Sequence, residues 1–305
     1  MNRLQDIVAG LLSAAAAGLP GNRSNGRLVS AGAQRAYLLY VPESYDPAGP
    51  TPLVISLHGY AEWPAHQMRV SGWNRLAERH GFIVAYPSGA GFPRRWRMRG
   101  MAGSPADPQK DIGFISDLIT HLENEYHLDP ARIFVNGLSN GGGMAFVLAC
   151  RLSERIAAIG GVSGAYLLPW AECAPVRAVP AVLFHGSADP IVPYHGGPSR
   201  AFNLPFPDVP AWVETLARRN GCDATPQPLP ARGDVRGLHY NAGTGADVDF
   251  YMIDGGGHAW PGSEPIPAWI VGRTSRDIDA TQVMWDFFQA HPLPTHGATP
   301  AGSNP

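Results

Sequence analysis

Apolar residues along the chain fall into short blocks whose spacing switches between two periods. Ala36–Pro42, AYLLYVP, alternates loosely and predicts a strand. Leu53–Leu57, LVISL, is an apolar run that suits a strand buried on both faces. From Gln67 to His80, Met68, Trp73, Leu76 and Ala77 recur at helical spacing, with Gly81 as a stop. Phe82–Pro87 predicts the next strand, and Ser88–Gln109 a long loop rich in Gly, Pro and Arg. A helix over Asp111–His127, a strand at Arg132–Gly137, a helix over Asn140–Leu152 and strands at Ile156–Val162 and Val179–His185 follow. Pro210–Asn220 predicts a helix closed by Gly221, Val248–Ile253 a strand and Thr281–Gln289 a last helix. Strands alternating with helices of this length imply an α/β fold: a mostly parallel central sheet, right-handed crossovers and helices on both faces. No internal repeat is visible.

Composition changes this picture little. The chain has 305 residues, 45% of them hydrophobic, and a formal net charge of −2. That length supports a deep core, and the balanced charge steers the chain neither to nucleic acid nor to an anionic membrane. The 36 glycines and 30 prolines are spread along the chain and imply many turns and shaped loops. Near the N-terminus, IVAGLLSAAAAGLPG follows Arg3 with the traits of a signal peptide, too short to span a membrane. Leu4, Ile7, Val8, Leu11 and Leu12 fit an amphipathic helix instead. The expected organisation is therefore a signal peptide or helix over 1–25, one catalytic domain over 26–291 and a flexible tail over 292–305. Cys150, Cys173 and Cys222 lack metal-ligand spacing. One disulfide with a spare thiol and three free thiols both remain open. Cys150 with Cys173 is the pair to test, because they flank one short segment.

The chemistry gathers around VNGLSNGGGMAF, where Ser139 lies on a predicted strand-to-helix turn inside the only G-x-S-x-G of the chain. An α/β-hydrolase elbow forces its serine into a strained backbone conformation and needs small neighbours on either side, as at Gly137 and Gly141. A plain turn is the other reading. A serine hydroxyl needs a base, and the base needs an orienting carboxylate, in the chain order Ser, acid, His. Asp189 in HGSADPIVPY lies just past a strand, where such a fold puts function; an Asx turn before Pro190 is the alternative. His258 in IDGGGHAWPG follows the last strand on a glycine-rich loop. Among its rivals, His58 and His185 end strands and read as structural. His66, His80, His121 and His127 lie on or beside helices and read as surface. His195 comes too soon after the acid, and Asp254 is the rival carboxylate. The backbone N–H of Asn140, at a helix start, and that of Tyr60, in LHGYAEW, are the expected oxyanion donors. Trp63, Trp96 and Trp260 stand near these elements and would line an apolar cleft or sit in the core.

LHGY, GWNRLAERHGFIVAYPSG, DIGFI, LDPARIFVNGLSNGGGMAF, HGSADPIVPYHGG and GGGHAWPG together resemble the polyhydroxybutyrate depolymerase-like esterases. These are α/β-hydrolases related to feruloyl and acetylxylan esterases. The likeness runs from Arg35 to Phe288. It implies the roles of nucleophile, acid and base for Ser139, Asp189 and His258, secretion or a periplasmic location, and no cofactor or metal. Two departures stand out. Family members often pair a cysteine matching Cys222 with one in the segment Tyr240–Gly245, which has none here. The loop FPRRWRMRG is more basic than expected; it reads as a solvated loop or as a cleft rim that holds a substrate carboxylate through Arg95 and its neighbours. The resulting expectation is a serine esterase acting through an acyl-enzyme on polyhydroxybutyrate-type or feruloyl esters, with acetylxylan or small esters as the alternative. A non-catalytic binding protein on a hydrolase scaffold is the reading from another class. The expected partner is an ester or polyester substrate, with no nucleic acid and no membrane span.

Overall fold

The computed structural model describes residues 25–98, 108–199, 201–243 and 245–294. The reading of the N-terminal segment as a signal peptide or helix, and most of the expected C-terminal tail, lie outside the described residues. Among the described residues twelve strands are present: β1 (Gly26–Ser30), β2 (Ala33–Tyr40), β3 (Thr51–Leu57), β4 (Ile83–Pro87), β5 (Leu128–Leu138), β6 (Ala158–Val162), β7 (Ala181–Gly186), β8 (His195–Gly197), β9 (Phe206–Asp208), β10 (Gln227–Arg232), β11 (Val235–Tyr240) and β12 (Val248–Ile253). The helices are α1 (Pro64–Ser71), α2 (Trp73–His80), α3 (Gln109–Glu125), α4 (Asn140–Arg151), α5 (Val209–Arg219), α6 (Ala268–Val271) and α7 (Ala280–Ala290).

Ten strands form one sheet in the order β1-β2-β4-β3-β5-β6-β7-β12-β11-β10. The six from β4 to β12 in this order run parallel, and antiparallel strands close both edges. Strand periodicity divides the core in two. Leu53, Ile55 and Leu57 face α3, α4 and α5, whereas Val54 faces α1, α2 and α7. The expected α/β architecture with helices on both faces is thus present. A parallel sheet places the C-terminal ends of β3, β5, β7 and β12 side by side, and the loops that leave them build the candidate site.

The structure corrects the sequence reading in two places. The single helix expected over Gln67–His80 is two, broken at Gly72, whose φ of 66° caps α1 and starts α2. The hairpin β10–β11 lies in a stretch that carried no expected element. Its first strand is almost wholly exposed, so no buried face marks it. Cys150 and Cys173 form a disulfide that ties the end of α4 to the segment between β6 and β7, and Cys222 is a free thiol. Burial pushes that thiol up to about 11. Among the described residues, no helix is long and apolar enough to cross a membrane.

Candidate active site

Ser139 sits between β5 and α4 with φ 56° and ψ −117°, a conformation that non-glycine residues avoid. Close packing holds it there. A Cβ at Gly137 would lie 2.4 Å from the Gly141 carbonyl carbon, and one at Gly141 would lie 2.3 Å from the Leu57 oxygen. Strand, elbow and helix therefore touch backbone to backbone. The Ser139 N–H donates to Val162 O at 2.8 Å, and the Ser139 carbonyl accepts from the Gly143 and Ala165 N–H groups at 3.0 Å each. The residue is 9% exposed.

Asp189 leaves the end of β7. Its Oδ1 accepts from the Ile191 and Val192 N–H groups at 2.8 and 2.9 Å, so the Asx-type turn is real. Its Oδ2 lies 2.8 Å from Nδ1 of His258. The turn and the pairing use different oxygens and coexist. Burial alone would raise this carboxyl, but the neighbouring His258 and its hydrogen bond, His185 and the Val192 amide outweigh it and hold it below the ordinary range. An ionised Asp189 accepts the Nδ1 proton and leaves Nε2 of His258 as the basic atom. His185 lies beneath, with Nε2 2.9 Å from Val192 O and 3.5 Å from the carboxylate. Burial lowers its pKa.

The His258 loop is held mainly through its backbone. Gly257 N–H donates to Arg273 O at 2.8 Å, and His258 N–H donates to Val271 O. A Cβ at Gly257 would come within 2.1 Å of that same Val271 oxygen. The rivals lie elsewhere: Asp254 and His195 are exposed, the latter 3.3 Å from Asp208.

Ser139 and His258 line one narrow cavity of about 30 Å³, together with Tyr60, Glu62, Phe202 and Trp260. Trp63 and Trp96 are not on that lining. Trp63 is half-buried ahead of α1, where its carbonyl accepts from the His66 and Gln67 amides. Trp96 has no exposed surface and follows its core alternative. Its indole N–H donates to His58 O at 2.9 Å, its amide donates to Asn140 Oδ1 at 2.7 Å, and its carbonyl accepts from Asn140 Nδ2 at 3.2 Å. It thereby joins the two segments expected to supply oxyanion donors. Two more bonds reinforce the junction: Gly89 N–H to His58 Nε2 at 2.9 Å, and Ala61 N–H to Arg94 O at 2.8 Å. Because His58 Nε2 accepts an amide, its proton sits on Nδ1 and goes to Gly59 O at 2.7 Å. Burial pulls this imidazole down to about 4.

Sequence reasoning missed Glu62. Its Oε2 accepts the Gly59 N–H at 2.8 Å and lies 3.3 Å from His66 Nδ1. Burial would raise the carboxyl, but His66 and the Gly59 amide overcome it and bring it to about 2. His66, expected on the surface, is buried because it packs onto this carboxylate. The i,i+4 spacing of Glu62 and His66 was the available signal. The basic loop is also less solvated than expected. Arg97 gives its amide and a guanidinium N–H to buried Asp111 at 2.8 Å each, and Arg35 shares that carboxylate at 2.9 Å. Among the described residues, no group of three His, Cys, Asp or Glu side chains could hold a metal ion. The arrangement suits acyl transfer: a strained hydroxyl and an imidazole backed by a buried carboxylate share one small cavity.

A family model described as esterase PHB depolymerase matches residues 35–196, a span that holds Ser139 and Asp189 but ends before His258. The chain is 30% identical over 285 residues to a putative esterase, NocK, from Nocardia uniformis subsp. tsuyamanensis, covering 85% of this chain and 80% of the relative. It is 28% identical over 270 residues to feruloyl esterase C from Emericella nidulans, covering 84% of each. Among solved structures, acetyl xylan esterase from Aspergillus awamori superposes with a TM-score of 0.59 at 18% identity, over 84% of this chain and 94% of that one. The shared fold is that of the α/β-hydrolases.

Proposed function

Because the chain belongs to the PHB depolymerase esterase family and is a carboxylic ester hydrolase, we propose that Ser139, Asp189 and His258 are its catalytic triad and that it works through an acyl-enzyme. The observation that carries this reading is the Asp189–His258 bond of 2.8 Å in the cavity that also exposes strained Ser139. His258 Nε2 takes the Ser139 proton as Oγ attacks the ester carbonyl. The N–H groups of Asn140 and Tyr60 receive the developing oxyanion. The alcohol leaves with the proton from His258, and water then repeats the cycle to release the acid. Asp189 keeps the imidazole in the productive tautomer and stabilises its cation.

The cavity volume favours a small acyl group. The cavity is small and its lining is largely apolar, with Val70, Leu138, Ile191 and Phe202 around Ser139, which suits a short acyl chain. Acetyl and other short-chain esters are therefore the substrates we assign. A feruloyl group, favoured by the names of several relatives, is the larger alternative. Wild type and Ser139→Ala assayed on p-nitrophenyl acetate, p-nitrophenyl butyrate, methyl ferulate and polyhydroxybutyrate film test both points. Activity highest on acetate and absent from the variant supports the reading. A ferulate preference overturns the acyl assignment, and equal rates in the two proteins overturn the nucleophile.

We also infer export from the cytoplasm, because the Cys150–Cys173 disulfide belongs to an oxidising compartment. N-terminal sequencing of the protein from its native host tests this. An intact Met1 on cytosolic protein would refute it.

A further inference from the structure

The catalytic cavity does not end at its apolar wall. Val70, Trp260 and Ser263 line it and also line a second, polar groove of about 230 Å³ that continues past them. Arg69 from α1 and Arg75 from α2 border this groove, with Glu264 and Asp279 beside them. The break at Gly72 brings the two arginines to one place, and the Arg75 guanidinium lies against that glycine.

These arginines differ from most others in the molecule. Arg35 and Arg97 share Asp111, Arg155 pairs with Glu123, and Arg177 is spent on backbone carbonyls. Among the described residues, neither Arg69 nor Arg75 has a side-chain hydrogen bond or an ion pair. Of the two carboxylates nearby, Asp279 gives Oδ1 to the Thr281 and Gln282 amides at the start of α7. Two uncommitted guanidinium groups thus stand on a groove that shares Val70, Trp260 and Ser263 with the cavity of Ser139 and His258. A planar guanidinium matches a carboxylate with two parallel N–H bonds.

We propose that this groove is a subsite for a carboxylate on the alcohol portion of the ester, several bonds from the scissile carbonyl. The natural substrates are then short-chain acyl esters of hydroxy acids. The acyl group enters the small cavity, and the hydroxy acid leaves through the groove. The proposal rests on the esterase reading given above and deepens it.

The test compares acetate esters of ω-hydroxy acids of increasing chain length with the corresponding amides, following acetate release. Wild type is expected to favour the carboxylates by about tenfold in kcat/KM at low salt, mainly through KM and at one optimal length. Arg69→Ala/Arg75→Ala, a change of exposed side chains, is expected to hydrolyse both series alike. No carboxylate preference in wild type, or a preference that survives in the double variant, overturns the proposal. Hydrolysis of the amides by wild type but not by Ser139→Ala keeps the esterase reading intact in that event. A wild type inert on every ester removes both.

Discussion

The serine side and the histidine side of the site are built in different ways. Ser139 stands on an elbow where β3, β5 and α4 meet backbone to backbone, and the segment 89–97 is bonded across it to His58, Ala61 and Asn140. His258 stands on a loop bonded through its own backbone to residues 271–273 and through one side-chain bond to Asp189. The first arm is fixed by steric exclusion and a clamp between distant segments. The second is fixed by a short ladder to residues 271–273, a charged hydrogen bond to Asp189 and close contact of Gly256 with Gly186 and Ala188 at the end of β7, with no clamp between distant loops like that at Trp96. This division suits the chemistry. The nucleophile and oxyanion donors must not move as charge develops, whereas the imidazole exchanges its proton between Ser139 and the leaving alcohol.

The largest expected effect falls on the histidine side. Asp189→Asn keeps the shape and the two amide bonds to Oδ1 but removes the charge that orders the imidazole. A loss in kcat on the order of 10⁴-fold is expected on p-nitrophenyl acetate, with little change in the melting temperature. A loss below about tenfold would show that His258 is positioned by its backbone alone. Next comes a pair of glycine substitutions. Gly141→Ala drives a Cβ into the Leu57 carbonyl inside the sheet, where nothing can yield. It is expected to cost about 3 kcal/mol or more of stability in a denaturant titration. Gly257→Ala makes a similar clash with Val271 O in a buried loop outside the main sheet. That loop can shift, so activity should fall further than stability. Equal stability losses from the two changes would erase the distinction between the arms.

The two arms also differ in how much the sequence reveals. Ser139 was legible because steric exclusion demands glycine at fixed spacing, and spacing is what a sequence displays. The expected acid and base lie together, and spacing along the chain guided the choice over His195 and Asp254. The partners of the clamp were hidden. Trp96 and Asn140 are 44 positions apart, and Trp96 and His58 are 38 apart. Nothing in either local pattern says that they meet. The basic loop misled for the same reason: its Arg97 answers to Asp111, buried at the start of a helix that periodicity alone marks as ordinary. Arg69 and Arg75, which border the neighbouring polar groove, were folded inside what reads as one uninterrupted helix. At the fold level, the six parallel strands were visible as buried apolar runs. The hairpin β10–β11, exposed on its outer strand, was not.

Acid should act on both arms, through buried His58 on the serine side and buried His185 beneath Asp189. His58 is buried as the neutral imidazole, with its pKa lowered to about 4 from an ordinary 6.5. The unfolded chain binds the proton that the folded one refuses. The associated stability is therefore intact above about pH 6.5 and is lost as pH falls toward about 4, on the order of 3 kcal/mol over that window. Glu62, lowered to about 2 from 4.5, adds a loss that begins below about 4.5 and continues downward. Both signs agree, so thermal melts should show a midpoint that declines through the mildly acidic range. A flat midpoint between about pH 6.5 and 4 would mean that His58 is protonated in the folded protein.

The smallest effect tests the clamp itself. Trp96→Phe retains an aromatic ring against His58 and leaves the backbone bonds to Asn140, but it removes the indole N–H that holds His58 O. One buried carbonyl loses its partner, at a cost of about 1–3 kcal/mol. If the clamp serves the oxyanion donors, part of that loss falls on the transition state. A decrease of about tenfold in kcat with KM little changed is expected, and the affinity for a boronic acid analogue should weaken by the same factor. Trp260→Phe is the matched change on the other arm. It removes the indole N–H that donates to Thr281 Oγ1, on a residue that lines the cavity, so its effect should appear in KM and acyl preference. Were Trp96→Phe to lower stability while leaving kcat and analogue affinity in place, the junction at Trp96 would be ordinary core packing. The rigidity of the serine arm would then come from its glycines alone.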